Sequence, residues 1–185
     1  MHGALCAALV IAWRQVSADW RNIPLRIVSA ISTRPIFEVG NGCGLYVAAA
    51  TGVFDVQATG FWELARDAKT AVAAGQTRDS VAAIIFALQQ AVEGADVASA
   101  AEFAANIFAR EALLTNLGSL PFDSQFGPVE LEAVWGPAVL TNFEGEQTIS
   151  VATVNGSICL THTSHTPPDG LLGAMQSVLA EACSI

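Results

Sequence analysis

The chain is short of positive charge. Lys69 is its only lysine, and Lys and Arg together number 8 against 17 Asp and Glu, giving a net charge of −9. A nucleic-acid-binding protein needs a basic face to displace phosphate counterions, and this composition offers none. The same shortage excludes electrostatic attachment to an anionic membrane. The acidity is spread along the chain, as on a solubilising surface. No apolar run approaches the roughly 18 to 20 residues of a membrane span. Ala4 to Trp13 is apolar and stands near the start, but no basic segment precedes it and no small-residue cleavage site follows, which argues against a secretory signal. Cys6, Cys43, Cys159 and Cys183 are far apart and form no Cys-x-x-Cys pair. Lone buried thiols in a reducing compartment are therefore expected, rather than a disulfide framework or a zinc site, and the default location is cytoplasmic. Phosphate-loop and nucleophile-elbow patterns are missing too: Gly40, Gly42 and Gly44 have the wrong spacing, and no Gly-x-Ser-x-Gly occurs.

What remains is an apolar, weakly charged chain. Hydrophobic residues make up 52% of the 185 and charged ones 14%, enough for a single domain with a real core. Gly3 to Val16 is alanine- and leucine-rich on more than one face, so it needs burial on more than one side. It starts with no room for an entry segment or N-cap, and the expectation is a chain that begins inside a larger fold. Strands are expected at Ile23 to Ser32, Leu45 to Ala50 and Val53 to Gln57. Helices follow at Phe61 to Ala74, Arg78 to Val92 and Val97 to Ala109. The pattern then turns to β, with Leu113 to Leu120, Val129 to Trp135, Gln147 to Val154 and Ser157 to Thr163. Asn155-Gly156 gives the last two a type-I′ hairpin turn. Gly170 to Ala182 closes the chain as an amphipathic helix. The outline is mixed α/β, with helices concentrated in the first half and a meandering sheet in the second.

Taken by themselves, the chemistry-bearing residues allow structural readings. Thr166-Pro167-Pro168 stops a strand, and Asp169 is placed to cap the closing helix, which makes His165 a turn residue. His162 stands three residues earlier, and two histidines without a third ligand are thin support for a metal site. Asn116-Leu117-Gly118 reads as a bulge beside Ser119, with the glycine admitting another backbone. Arg34 is either a solvent residue at a strand end or a buried guanidinium needing a bidentate carboxylate. Trp13, Trp20, Trp62 and Trp135 read as core or interface anchors, too scattered for a base-stacking platform.

Ser164-His165-Thr166-Pro167-Pro168-Asp169-Gly170 also resembles most of the His-His-x-x-x-Asp-Gly signature of the thioester-dependent acyltransferases related to chloramphenicol acetyltransferase, with Ser164 in the place of the first histidine. In that family the second histidine takes the proton of the attacking hydroxyl or amine. Further segments resemble the family's C-terminal half in order: His2 to Ala8, Leu25 to Pro35, Gly60 to Arg66, Leu114 to Leu120, and the hairpin Val151 to Thr161 with the closing helix. This order implies that the catalytic loop belongs to an N-terminal half upstream of everything present here. His165 and Asp169 then lie on a late connection that mimics it. The implied fold is α/β, a mixed sheet with packed helices, forming one lobe of a chloramphenicol acetyltransferase-like two-lobed fold. The implied activity is that of a condensation-domain or alcohol-acyltransferase type enzyme. Such an enzyme moves an acyl group from a coenzyme A or carrier-protein thioester to a small hydroxyl or amine acceptor, with coenzyme A a co-substrate rather than a tightly bound cofactor. Arg34 would support the site, Asn116 and Ser119 would line the channel between lobes, and this lobe alone would be inactive. Its partner would be the missing N-terminal lobe or a second copy. The rival expectation is a non-catalytic module that binds an apolar ligand or itself.

Overall fold

Alanine and leucine cover every side of the first helix, α1 (His2–Val16), and the protein buries all of them. Each residue from Leu5 to Trp13 is buried. A helix so apolar all round must lie in the interior, and α1 does so between two flanking helices, over one face of a sheet. The computed structural model describes residues 1–40, 42–57, 60–107, 110–140 and 145–184. After α1 come a 3-10 turn (Asp19–Asn22), β1 (Leu25–Ser32), a one-turn helix α2 (Arg34–Phe37) and β2 (Val47–Phe54). Three helices follow, α3 (Phe61–Gly75), α4 (Arg78–Val92) and α5 (Val97–Ile107), then β3 (Ala112–Ser119). A small hairpin, β4 (Gln125–Phe126) and β5 (Val129–Glu130), precedes β6 (Gln147–Val154), β7 (Ser157–Thr163) and α6 (Leu171–Cys183).

The main sheet has the order β2-β1-β3-β6-β7. Its centre is parallel, β1 with β3 and β3 with β6, and both outer strands are antiparallel to their neighbours. The first-half strands β2 and β1 and the second-half strands β3, β6 and β7 form one sheet, joined by the parallel β1–β3 pair, which corrects the expectation of a simple meander in the second half. The hydrophobic pattern of each strand is local, whereas a parallel crossover is a long-range choice made by packing. Two smaller corrections follow. The expected strands Leu45 to Ala50 and Val53 to Gln57 are one strand, because β2 runs in unbroken register from Val47 opposite Ser32 to Phe54 opposite Leu25. Of the expected strand Val129 to Trp135, only Val129–Glu130 pairs, and it does so with β4 away from the main sheet.

Side-chain alternation sends Leu25 and Ile27 of β1, Leu114 of β3, and Ile149 and Val151 of β6 onto the α1 face. There they meet Leu64, Ala65 and Ala68 of α3 and Leu171, Met175 and Val178 of α6. The α1–α3 approach depends on Gly3, since a Cβ at that position would stand 2.3 Å from the Ala65 carbonyl oxygen. Trp20 stacks on buried Trp13 with ring centroids 3.6 Å apart, while Trp62 and Trp135 are exposed. On the other face, α4 buries Val81 and leaves an apolar slot of about 510 Å³ beside Val28, Ala30 and Leu113. All four cysteines are free thiols. Cys6 and Cys159 are buried, but Cys43 and Cys183 are exposed, so the expectation of buried thiols holds for two of them. Among the described residues no helix is long and apolar enough to cross a membrane.

Candidate functional site

Arg34 opens α2 just past the end of β1, where Pro35 fixes the first helical turn. Its side chain folds back over the glycine-rich segment. Nη1 donates to the Gly40 carbonyl at 2.5 Å and Nη2 to the Gly42 carbonyl at 2.8 Å, with the guanidinium 4.4 Å from the Tyr46 ring centroid. Among the described residues no carboxylate pairs with it. A guanidinium has five N–H donors, so three remain for another acceptor.

Asn116 and Ser119 lie on the neighbouring strand at the same end of the sheet. Asn116 Oδ1 accepts the Gly118 N–H at 2.8 Å, Gly118 takes a left-handed φ of 70°, and the β3–β6 register shifts between Asn116 and Ser119. This is the bulge that the Asn-Leu-Gly triplet implies. It shifts the register, so that pairing resumes with Ser119 opposite Thr153, and leaves Ser119 exposed to solvent. Arg34 and the Asn116–Ser119 bulge therefore both stand at the carboxyl ends of parallel strands, which is where open α/β sheets bind ligands.

His165 and Asp169 are at the other end. β7 runs antiparallel to β6 with Thr163 opposite Thr148, so the connection after Thr163 returns to the start of β6. Most of the length of an eight-residue strand, about 3.3 Å per residue, separates the two sets. The carboxylate that a buried Arg34 would need is therefore not Asp169. His165 and Asp169 are both exposed. The expected Asp169 cap is also corrected: Gly170, at φ 81°, is the N-cap of α6, and no side chain caps the helix. The two prolines set the approach of the chain, and the glycine's left-handed conformation makes the entry turn.

Residues to which the motif reading assigned no role hold that connection in place. Ser164 Oγ donates to the Glu146 carbonyl at 2.8 Å and accepts the Thr166 N–H at 3.0 Å. Gln147, 1% exposed, donates through Nε2 to the Gly145 and Thr166 carbonyls at 2.9 and 3.2 Å. With both amide protons used, Gln147 Oε1 is an acceptor, so His162 Nε2, 2.7 Å away, carries a proton and donates. Burial lowers the His162 pKa, in keeping with a neutral ring. His162 and Ser164 are thus turn fasteners, and among the described residues no His, Cys, Asp and Glu cluster could hold a metal.

Nothing in the residue pattern marks the more deeply buried of the two ion pairs found among the described residues. Arg110 Nε and Nη2 donate to Glu146 Oε1 at 3.1 and 2.9 Å, with side chains only 5% and 3% exposed, and Thr148 Oγ1 donates to the same oxygen. The two residues immediately precede β3 and β6 in the sequence, apart from Glu111 after Arg110, and only the parallel pairing of those strands brings them together. Next to them Arg26 pairs with Glu111 in a partly exposed bridge at 2.7 Å. Burial works to raise the Glu111 carboxyl, but hydrogen bonds from the Arg26 side chain and backbone and the guanidinium charge together hold it below its usual range. Between the start of α1 and β1, His2 Nε2 and Ser29 Oγ are 2.8 Å apart, and burial pushes the Cys6 thiol one turn further along α1 up to about 12.

No family model matches the chain, and no curated protein does. Solved structures do. Polyketide synthase associated protein 5 from Mycobacterium tuberculosis superposes on 99% of the chain with a TM-score of 0.62 at 15% identity. The epimerization domain from the third module of tyrocidine synthetase B superposes on 98% with a TM-score of 0.57 at 14% identity. A condensation domain that mediates chain release from the enacyloxin polyketide synthase superposes on 97% with a TM-score of 0.58 at 13% identity. The chain spans 46%, 40% and 34% of their respective lengths. What is shared at such identities is the architecture alone: the chain has an α/β fold, a mixed five-stranded sheet with packed helices, that superposes on part of each of these structures.

Proposed function

We propose that this chain is the C-terminal portion of an acyltransferase that moves an acyl group from a coenzyme A or carrier-protein thioester to a hydroxyl or amine. The observation that carries the reading is the one-sided superposition: nearly all of this chain lies on less than half of each condensation-type structure. In this reading the general base comes from the other lobe. Arg34, with three donors to spare, receives a carboxylate from that lobe, and the Asn116–Ser119 bulge lines the channel at the same strand ends. His165 takes no part, because it sits at the opposite end of the sheet on an exposed turn. Coenzyme A enters and leaves as a co-substrate.

The test is to translate the DNA upstream of the Met1 codon and to assay the proteins it encodes. The expected result is an open frame carrying His-His-x-x-x-Asp-Gly. The long product should transfer acyl groups from thioesters to alcohols or amines, and the 185-residue chain alone should not. An unrelated upstream frame, with no acyl transfer by this chain in the presence of any encoded partner, refutes the reading. The apolar slot under α4, rimmed by exposed Leu45, Val47 and Ile85, favours the alternative of a module that binds an apolar ligand or a second copy. A sedimenting dimer without transferase activity would support it.

A further inference from the structure

The protein has 8 cationic Lys and Arg side chains, and six of them are engaged. Arg14 donates to the Val56 carbonyl and Arg21 to that of Arg14. Arg26 and Arg110 pair with Glu111 and Glu146, Arg34 holds the Gly40 and Gly42 carbonyls, and Arg78 lies over the Phe37 ring. The other two, Arg66 and Lys69, make no side-chain hydrogen bond, ion pair or ring contact among the described residues. They stand one helical turn apart on α3, and both line one cleft of about 440 Å³ where α3 meets the start of α1. Trp62, 50% exposed, lies one turn before Arg66 in the same wall, and Ala65, Val72 and Ala73 add apolar surface. No acidic residue is in the lining, although the chain carries a net charge of −9. Two like charges a turn apart repel. In a chain this acidic, two cations in a concave apolar surface whose lining holds no carboxylate form a local inversion of sign that an anion would relieve.

We infer that this cleft binds a small amphiphilic anion. Its carboxylate or phosphate group is held by Arg66 and Lys69, and its flat apolar body lies in the cleft against Trp62. A guanidinium fork grips either group bidentately, the ammonium adds a point charge, and the indole supplies a rigid apolar face. An apolar pocket with a few convergent polar groups is the usual form of a small-molecule site. The inference does not rest on the acyl-transfer reading, and either can fail alone.

Titration calorimetry of the full chain with 1-naphthyl phosphate and with 1-naphthoate tests it, and their relative affinities tell phosphate from carboxylate. Both probes should bind at one per chain. Inorganic phosphate and uncharged 1-naphthol should each bind at least roughly tenfold more weakly, because each lacks half of what the cleft recognises. The R66Q/K69Q double variant should lose affinity for 1-naphthyl phosphate on the order of a hundredfold, and Trp62→Leu roughly tenfold. All three side chains are exposed, so urea midpoints should stay unchanged and weakened binding would not be due to misfolding. Absence of binding by both naphthyl anions, undiminished binding by the double variant, or naphthol binding as tightly as the anions would overturn the inference.

Discussion

Replacing Arg110 by methionine removes the cation from a site where Glu146 is 3% exposed. The carboxylate then keeps the Thr148 hydroxyl as a donor but loses the charge that made its burial tolerable. Breaking a buried pair on one side costs about 3 to 5 kcal/mol, a large share of the roughly 5 to 15 kcal/mol that holds a domain together. With a urea dependence of about 2 kcal/mol per molar, the unfolding midpoint should fall by roughly 1.5 to 2.5 M. The double variant Arg110→Met with Glu146→Leu removes both charges from the interior and should recover most of that loss, since apolar replacements of a buried pair are often neutral. Arg26→Met is the control. Its bridge to Glu111 is as short, at 2.7 Å, but the side chains are 42% and 23% exposed, so solvent screens it and the cost should be about 1 kcal/mol or less. Urea denaturation followed by circular dichroism measures all four proteins. A single variant within about 0.5 kcal/mol of the parent, or a double variant as unstable as the single, would refute the reasoning.

Gly3→Ala should destabilise by roughly 1 to 3 kcal/mol, because its Cβ would meet the Ala65 carbonyl oxygen at 2.3 Å and push α3 off α1; thermal melting measures it. His2 and His162 have pKa values lowered by burial, so the unfolded chain binds more protons below the ordinary value of 6.5. Stability from these two groups should be fully present above that pH and decline as the pH falls toward their lowered folded values, and urea midpoints in a pH series that rise instead would contradict this. Ellman's reagent should label Cys43 and Cys183 quickly in the native protein and spare Cys159 and Cys6, which is buried with its thiol held at about 12; rapid labelling of all four refutes the packing of α1. His165→Ala should change stability by no more than about 0.5 kcal/mol and leave any acyl transfer by a longer product intact, whereas loss of that activity would return the exposed turn to the active site.

Local features of this fold were legible in the sequence wherever one segment decides its own conformation. Asn155-Gly156 makes the hairpin between β6 and β7 with φ of 50° and 75°, as expected for two adjacent left-handed turn residues. Arg78–Val92 is a helix with the residue limits expected of it, its start fixed by the Thr77 hydroxyl accepting the Ser80 N–H. The all-round apolar surface of α1 implied an interior helix, and Asn116-Leu117-Gly118 implied a bulge. What depended on strand order was not legible. Period-two alternation tells a strand which side to bury but not which strand to lie beside, so the parallel contacts of β1 with β3 and β3 with β6 came only with the packing of α1 over all three. That order alone separates Arg34 and Asn116 from His165 and Asp169, although the sequence offered all four as candidates. It also brings Arg110 to Glu146 across 36 residues, where each charge by itself reads as an ordinary surface residue and only the dry interior makes it a pair.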